Sequence, residues 1–388
     1  MVMTEQPGPT ALTSRALGPD LARGCMLLCI ALANSHYFLR GSSVLGGYPQ
    51  DGSAVDSGVT WLIATFVDGR AFPMFGLLFG YGVARIVHRQ EALGPRRVRR
   101  LLWRRSLVLV AVGFLHAVLL YPGDILGAYG VLLFVGAWAV GWKDRWLLLT
   151  GLLFFLLNAL PGDGSLAISA EPPHISMLPP DLPAMVTERV RVSLFVSFVA
   201  PLGFVCPFVI GLWTGRRRIL ERSERHRTLL RVTAAVGIGA AVLGAQPVSL
   251  VLAGVVTAPA QSTLELLGPL HDTTGTLGGF GYAALLSLLA LRLQSATRPR
   301  PLVDAVAATG QRSMTCYLMQ SVVWSVAFTP FLLDLSGTLT VATTALLAVA
   351  TWLTTVVLAD RMRRAGDRGP FEVLVRRVTY RGVRASCR

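Results

Sequence analysis

The chain has 388 residues, 53% of them hydrophobic and only 15% charged, with 36 Lys+Arg against 21 Asp+Glu and a formal net charge of +15. A soluble domain carries about a quarter charged residues, and here the apolar residues run in blocks such as WLLLTGLLFFLLNAL and TALLAVATWLTTVVLA, which excludes a soluble enzyme and predicts bilayer-spanning helices. The basic excess does not imply nucleic acid, because the arginines sit in short loops between apolar blocks, where they face anionic lipid.

In chain order, residues 1–14 read as a disordered cytoplasmic tail, since no basic n-region or cleavage site precedes an apolar core. About ten spans are expected, near 19–39, 69–88, 106–121, 124–141, 146–160, 192–214, 232–256, 274–293, 314–336 and 339–359. The stretch 48–68 is too polar to span and reads as interfacial. The predicted fold is all-α, a polytopic helical bundle. Residues 15–160 form an N-terminal half of five helices. Residues 161–191, rich in Pro and Gly, form an extracytoplasmic loop. Residues 192–360 form a second half of five helices, and 361–388 a basic cytoplasmic tail. All but four of the 36 basic residues (Arg40, Arg70, Arg189 and Arg191) fall on alternate loops, which predicts both termini in the cytoplasm of a cell with this protein in its inner membrane. The five cysteines form no CxxC or Cys/His cluster, so neither disulfides nor a metal is expected. A homo-oligomer is left open.

Polar residues inside the spans are the functional signal, because an ionisable side chain at the centre of a bilayer costs about 3 kcal/mol on insertion scales. The first span opens with Asp20 and Arg23, three residues apart and so on one face, and closes with Asn34 and His36. The second follows Asp68 and Arg70. The third carries His116 about one turn from its outer end, and the tight turn YPGD brings Asp124 to the start of the fourth. Asn34, His36, Asp68, Arg70, His116 and Asp124 therefore share one depth near the outer surface. His271 with Asp272 lies at the outer mouth of the eighth span. The ninth, GQRSMTCYLMQSVVW, brings a stripe containing Arg312, Tyr317 and Gln320 in from the cytoplasm. Such a stripe serves either as interhelical glue or as a ligand channel.

The runs DLARGCMLLCIALAN, RAFPMFGLLFGYGVARI, RRSLVLVAVGFLHAVLLYPGDILGAYG, TGQRSMTCYLMQS and GPFEVLVRRVTY, in this order, resemble the YeiB-like bacterial membrane proteins, whose C-terminal half is a domain of unknown function. The first spans are also similar to transmembrane acyltransferases, the heparan-glucosaminide N-acetyltransferases and the acyltransferase-3 O-acetylases. Asp20, Arg23, Gly24 and Asn34 match the start of that pattern. The acyltransferase-3 proteins have a histidine at the Asn34 position, so here His36 or His116 would take its role; His116 is preferred because it lies inside its span. The resemblance implies a cytosolic acyl-CoA or acetyl-CoA donor and an extracytoplasmic acceptor. In that chemistry an imidazole takes the proton of the acceptor, a carboxylate orients it, and Asn or Arg steadies the oxyanion. The inner residues Asp20, Arg23, Arg104, Arg105, Arg312, Tyr317 and Gln320 would hold the donor. The competing expectation is a proton-coupled transporter or exporter with a His/Asp relay.

Overall fold

A computed structural model describes residues 16–294 and 300–381. The tail read at 1–14, Cys387 and the last part of the basic tail lie outside these residues. Thirteen α-helices make up most of the described chain. The first six are α1 (Leu17–Ser35), α2 (Ala54–Phe66), α3 (Ala71–Arg89), α4 (Pro95–Leu119), α5 (Leu126–Ala139) and α6 (Asp144–Asn158). They are followed by α7 (Leu182–Arg216), α8 (Arg227–Leu252), α9 (Gln261–Gln294), α10 (Pro301–Gln311), α11 (Ser313–Phe328), α12 (Val341–Arg364) and α13 (Pro370–Thr379). A small antiparallel hairpin, β1 (Val44–Leu45) with β2 (Tyr48–Pro49), turns through Gly46 and Gly47 at φ +57° and +80°, a conformation that favours glycine.

Helix boundaries follow local chemistry. Ser53 and Asp56 form a capping box on α2, and Thr340 with Thr343 does the same for α12. Asp181 accepts the Ala184 N–H to open α7, and Pro95 and Pro370 occupy the first turns of α4 and α13, where no intrahelical N–H is needed. Seven helical stretches among the described residues are long and apolar enough to cross a membrane. Helices α5, α6 and α11 are shorter, with 14, 15 and 16 residues. The structure departs from the expected spans in three places. The stretch read as interfacial contains α2, which joins α3 in one long apolar run, Ala54–Arg89. Helices α7 and α9 run about ten residues beyond their apolar segments, so 182–191, expected as loop, is helix. The expected loop 292–312 contains α10, and the tail contains α13.

The helices pack through small residues. Gly80 of α3 lies against the carbonyl of Phe208 and Gly211 of α7 against that of Leu77, so tightly that a Cβ at either would collide with backbone. Close approach of this kind is how helices associate where no hydrophobic force distinguishes lipid from protein. One apolar cluster runs through α1, α3, α4, α5 and α7, with Leu102, Leu133 and Leu212 fully buried. A second lies where α1 and α11 end, under the hairpin, with Phe38, Tyr48 and Phe328 at its centre.

Candidate functional site

His116 lies in the last turn of α4, and Asp124 lies just before α5. The imidazole Nδ1 is 2.7 Å from Asp124 Oδ1, and Asp124 Oδ2 accepts the Gly127 N–H at 2.6 Å, one of the unpaired donors of the first turn of α5. Both side chains are almost fully buried. A carboxylate at this distance holds the proton on Nδ1, which leaves the lone pair on Nε2. Nε2 has no hydrogen-bond partner among the described residues. The ring of Tyr317, from α11, lies 5.1 Å from the His116 ring; its hydroxyl is buried, with the backbone N–H of Ile125 near its oxygen and no acceptor for its proton among the described residues. A buried polar group left unpaired, as His116 Nε2 is, costs about 1–3 kcal/mol.

Gly113 makes the His–Asp pair possible. A Cβ on it would strike the Gly127 nitrogen and Asp124 Oδ2. Gly113→Ala is therefore expected to push α4 from α5, to cost about 1–3 kcal/mol as overpacking does, and to break the pair. Thermal unfolding of the purified variant in detergent measures the first effect.

The other outer residues form a separate group. His36 is buried, stacked on Tyr48 with ring centroids 3.9 Å apart, and the Tyr48 hydroxyl donates to Asp68 Oδ2 at 2.7 Å. Arg70 is fully buried. It donates to the backbone carbonyl of Asp68 and, at 2.7 Å, to that of Ala241, and its Nη1 lies 2.9 Å from His271 Nε2. His271 Nδ1 is 3.2 Å from Asp272 Oδ1, and its Nε2 faces both the Arg70 donor and, at 3.0 Å, the Ala64 carbonyl: an Nε2 lone pair accepts from Arg70, an Nε2–H donates to Ala64. Asn34 is buried on α1, and no hydrogen bond among the described residues joins it to either histidine. Of the six residues expected at one depth, His116 pairs with Asp124, His36 groups with Asp68 and Arg70, and Asn34 joins neither. His271 joins the second group.

A cavity of about 340 Å³ opens at the opposite end of the bundle. Seven arginines line it against three carboxylates: Asp20, Glu221 and Glu372. Of the inner residues picked from sequence, Asp20, Arg23, Arg105, Arg312 and Tyr317 line it. Arg104 and Gln320 do not: Arg104 donates to the carbonyl of Arg381, and Gln320 donates to Leu27 O at 3.2 Å, tying α11 to α1. Arg312, fully buried, donates to Ala308 O at 3.2 Å and to Asp367 O. The structure adds Arg85 and Arg89 of α3, and Arg368, Arg376 and Tyr380 at α13. Burial raises the phenol pKa of Tyr380, while the neighbouring Arg105 and Arg89 act in the opposite sense. Arg85 and Arg89 are four apart at the basic end of an apolar helix, a legible signal. The α13 residues lie in a motif the resemblance picked out without assigning it a place. Phe75, Phe79, Ile125, Leu126, Tyr129 and Tyr317 line the cavity as well, while His116 and Asp124 do not. Arg105 and His116 share α4, eleven residues or about 16 Å apart along its axis.

An all-helical chain with seven membrane-length apolar helices, a basic cavity at one end and a buried His–Asp pair beyond it is of membrane-protein type. Residues 214–382 match the family described as "Protein of unknown function (DUF418)". The chain is also 26% identical, over 412 aligned positions covering 96% of each sequence, to "Uncharacterized protein YxaH" of Bacillus subtilis (strain 168). The matched domain supplies Arg312, Tyr317, Glu372 and Arg376, while His116 and Asp124 lie outside it.

Proposed function

We propose that the protein is a membrane acyltransferase that takes an acyl group from cytosolic acyl-CoA and passes it to an acceptor at the other side of the membrane. The observation that carries this reading is the path from the arginine-lined mouth to Tyr317, whose ring abuts His116. Arginines suit phosphates through charge-assisted and bidentate hydrogen bonds. At about 340 Å³ the cavity is at the small end for ligand pockets. It suits an extended, partly apolar arm, with the bulkier phosphorylated nucleotide at the mouth.

In this reading His116 Nε2 takes the proton of the acceptor hydroxyl or amine as its oxygen or nitrogen attacks the thioester carbon. Asp124 keeps the imidazole in the Nδ1–H tautomer and stabilises the imidazolium that forms. The Tyr317 hydroxyl donates to the developing oxyanion. The thiolate of CoA leaves and takes up the proton. The arginine-rich end then faces the cytoplasm, in keeping with the bias of basic residues toward that side.

The test is acetyl-CoA turnover and thermal shift on purified, folded protein. A saturable stabilisation with slow thioester loss supports the proposal; no shift with any acyl-CoA contradicts it. The second reading, a proton-coupled transporter, draws on the chain Arg70–His271–Asp272, buried at Arg70 and His271 and half-exposed at Asp272, whose ionisable groups resemble a relay. It predicts proton flux that depends on His271 and no thioester chemistry.

A further inference from the structure

Helix α13 is short and strongly amphipathic, and three ties fix it to the bundle. Before it, Arg312 donates to the carbonyl of Asp367. After it, Arg104 donates to the carbonyl of Arg381. Between them, Glu372 reaches off its own helix to the start of α11. Its Oε1 accepts the backbone N–H groups of Met314 at 2.8 Å and Thr315 at 3.2 Å, and its Oε2 accepts the Thr315 hydroxyl at 2.6 Å. These are first-turn donors that α11 cannot satisfy itself, and a carboxylate there also complements the helix dipole.

The local sequence GPFE is built for this contact. A Cβ at Gly369 would collide with Glu372 Oε2 and press on the Thr315 hydroxyl, so only glycine leaves the carboxylate its place. Pro370 starts the helix without a wasted N–H. Val375 is buried in the bundle, while Leu374 and Arg377 face outward. The consequence falls on the cavity. With Glu372 seated, Arg368, Arg376 and Tyr380 form one wall of the mouth, facing Arg85 and Arg89 of α3 and Arg105 of α4. Without α13 and its flanks the mouth loses two of its seven arginines, Arg368 and Arg376, together with Tyr380.

We infer that Glu372 is a positioning residue for the phosphates of the ligand: by capping α11 it fixes α13 so that Arg368 and Arg376 complete a two-sided clamp on an organic phosphate at the cavity mouth. This rests on the reading of the cavity as an anionic-ligand site. Glu372 is one turn from Arg376 on the same helix, so the carboxylate and the guanidinium keep a fixed register. The negative charge of Glu372 is already engaged by three donors, which keeps it from competing with the ligand for the arginines. Two sources share the ligand chemistry, a soluble nucleotide-linked phosphate and the phosphate headgroup of a lipid, and both are tried as probes.

The experiment uses the full chain in detergent. Coenzyme A and, separately, short-chain phosphatidic acid are titrated calorimetrically, and trypsin cleavage after Arg376 and Arg377 is timed with and without each probe. The expected result is that coenzyme A binds, slows cleavage at these sites at least tenfold, and binds at least tenfold more weakly to Glu372→Gln. Glu372→Asp, which keeps the charge but retracts it, should recover part of the loss, and Arg376→Gln should weaken binding similarly while leaving α13 docked. Protection is read on the unaltered protein, so the inference does not depend on Glu372→Gln folding. If coenzyme A binds but neither protects α13 nor responds to Glu372→Gln and Arg376→Gln, the clamp is wrong and the cavity reading survives. Protection by phosphatidic acid alone keeps the clamp and overturns the acyl-CoA reading. Binding of neither probe to folded protein overturns both.

Discussion

His116→Ala is expected to lower acyl-CoA-dependent transfer by about a thousandfold, within the range that a positioned general base contributes, at unchanged affinity for coenzyme A. The reasoning is geometric. The His116 ring is held by Asp124 at 2.7 Å, its second nitrogen is unpaired, and its ring lies 5.1 Å from that of Tyr317, which lines the cavity. His36 has no carboxylate in hydrogen-bonding contact, and Tyr48 covers one face of its ring. His36→Ala should therefore leave turnover within severalfold of normal and act mainly on the packing of the hairpin. Asp124→Asn should fall between them, because an amide offering its NH₂ to Nδ1 would force the proton to Nε2, the wrong tautomer for a base. Turnover measured at equal folded protein, with coenzyme A affinity measured alongside, separates these outcomes. Near-normal rates for His116→Ala with loss for His36→Ala would mean the wrong histidine has been assigned.

Neutralising the cavity mouth should act on affinity instead of chemistry. Arg105→Met keeps most of the side-chain volume but removes a charge beside Tyr380 and Arg89. A hydrogen bond to a charged group contributes about 1.5–3 kcal/mol, so KM for acyl-CoA should rise about 10- to 100-fold with kcat nearly unchanged. The same variant should blunt the salt dependence of binding, since screened arginine–phosphate contacts supply much of it. Arg100→Met is the matched control, since Arg100 is an exposed arginine of the same helix that does not line the cavity. A KM effect equal to that of Arg105→Met would contradict the assignment of this mouth.

Much of this arrangement was legible in the sequence because bilayer chemistry is severe. Long apolar blocks read as helices, and ionisable residues within them marked His116, Asp124, Arg70 and Arg312 as residues with partners. The His116–Asp124 contact followed from a short turn alone, since YPGD gives the chain no room to separate them. Lateral placement was not legible. Periodicity reports depth along a helix, not which helices are neighbours, so His36 and His116 looked like one group and lie in two. The partners of Arg70 came from α8 and α9, some two hundred residues away. Arg104 and Arg105 could not be told apart from sequence, because adjacent residues on a helix point about 100° from one another and only packing decides which faces inward. The role of GPFE was hidden for a related reason. A capping glutamate usually serves its own helix, whereas Glu372 serves another.

The measurement that bears most directly on the central claim is a structure with a non-hydrolysable thioether analogue of acetyl-CoA bound. The account predicts phosphates among the arginines of α3, α4 and α13, and the arm threaded past Phe79 and Tyr129. The acyl carbonyl should come within about 3.5 Å of Tyr317 Oη, on a side that His116 Nε2 can reach. An analogue bound elsewhere, or seated at the mouth with Tyr317 still sealing His116 from it, would contradict the account.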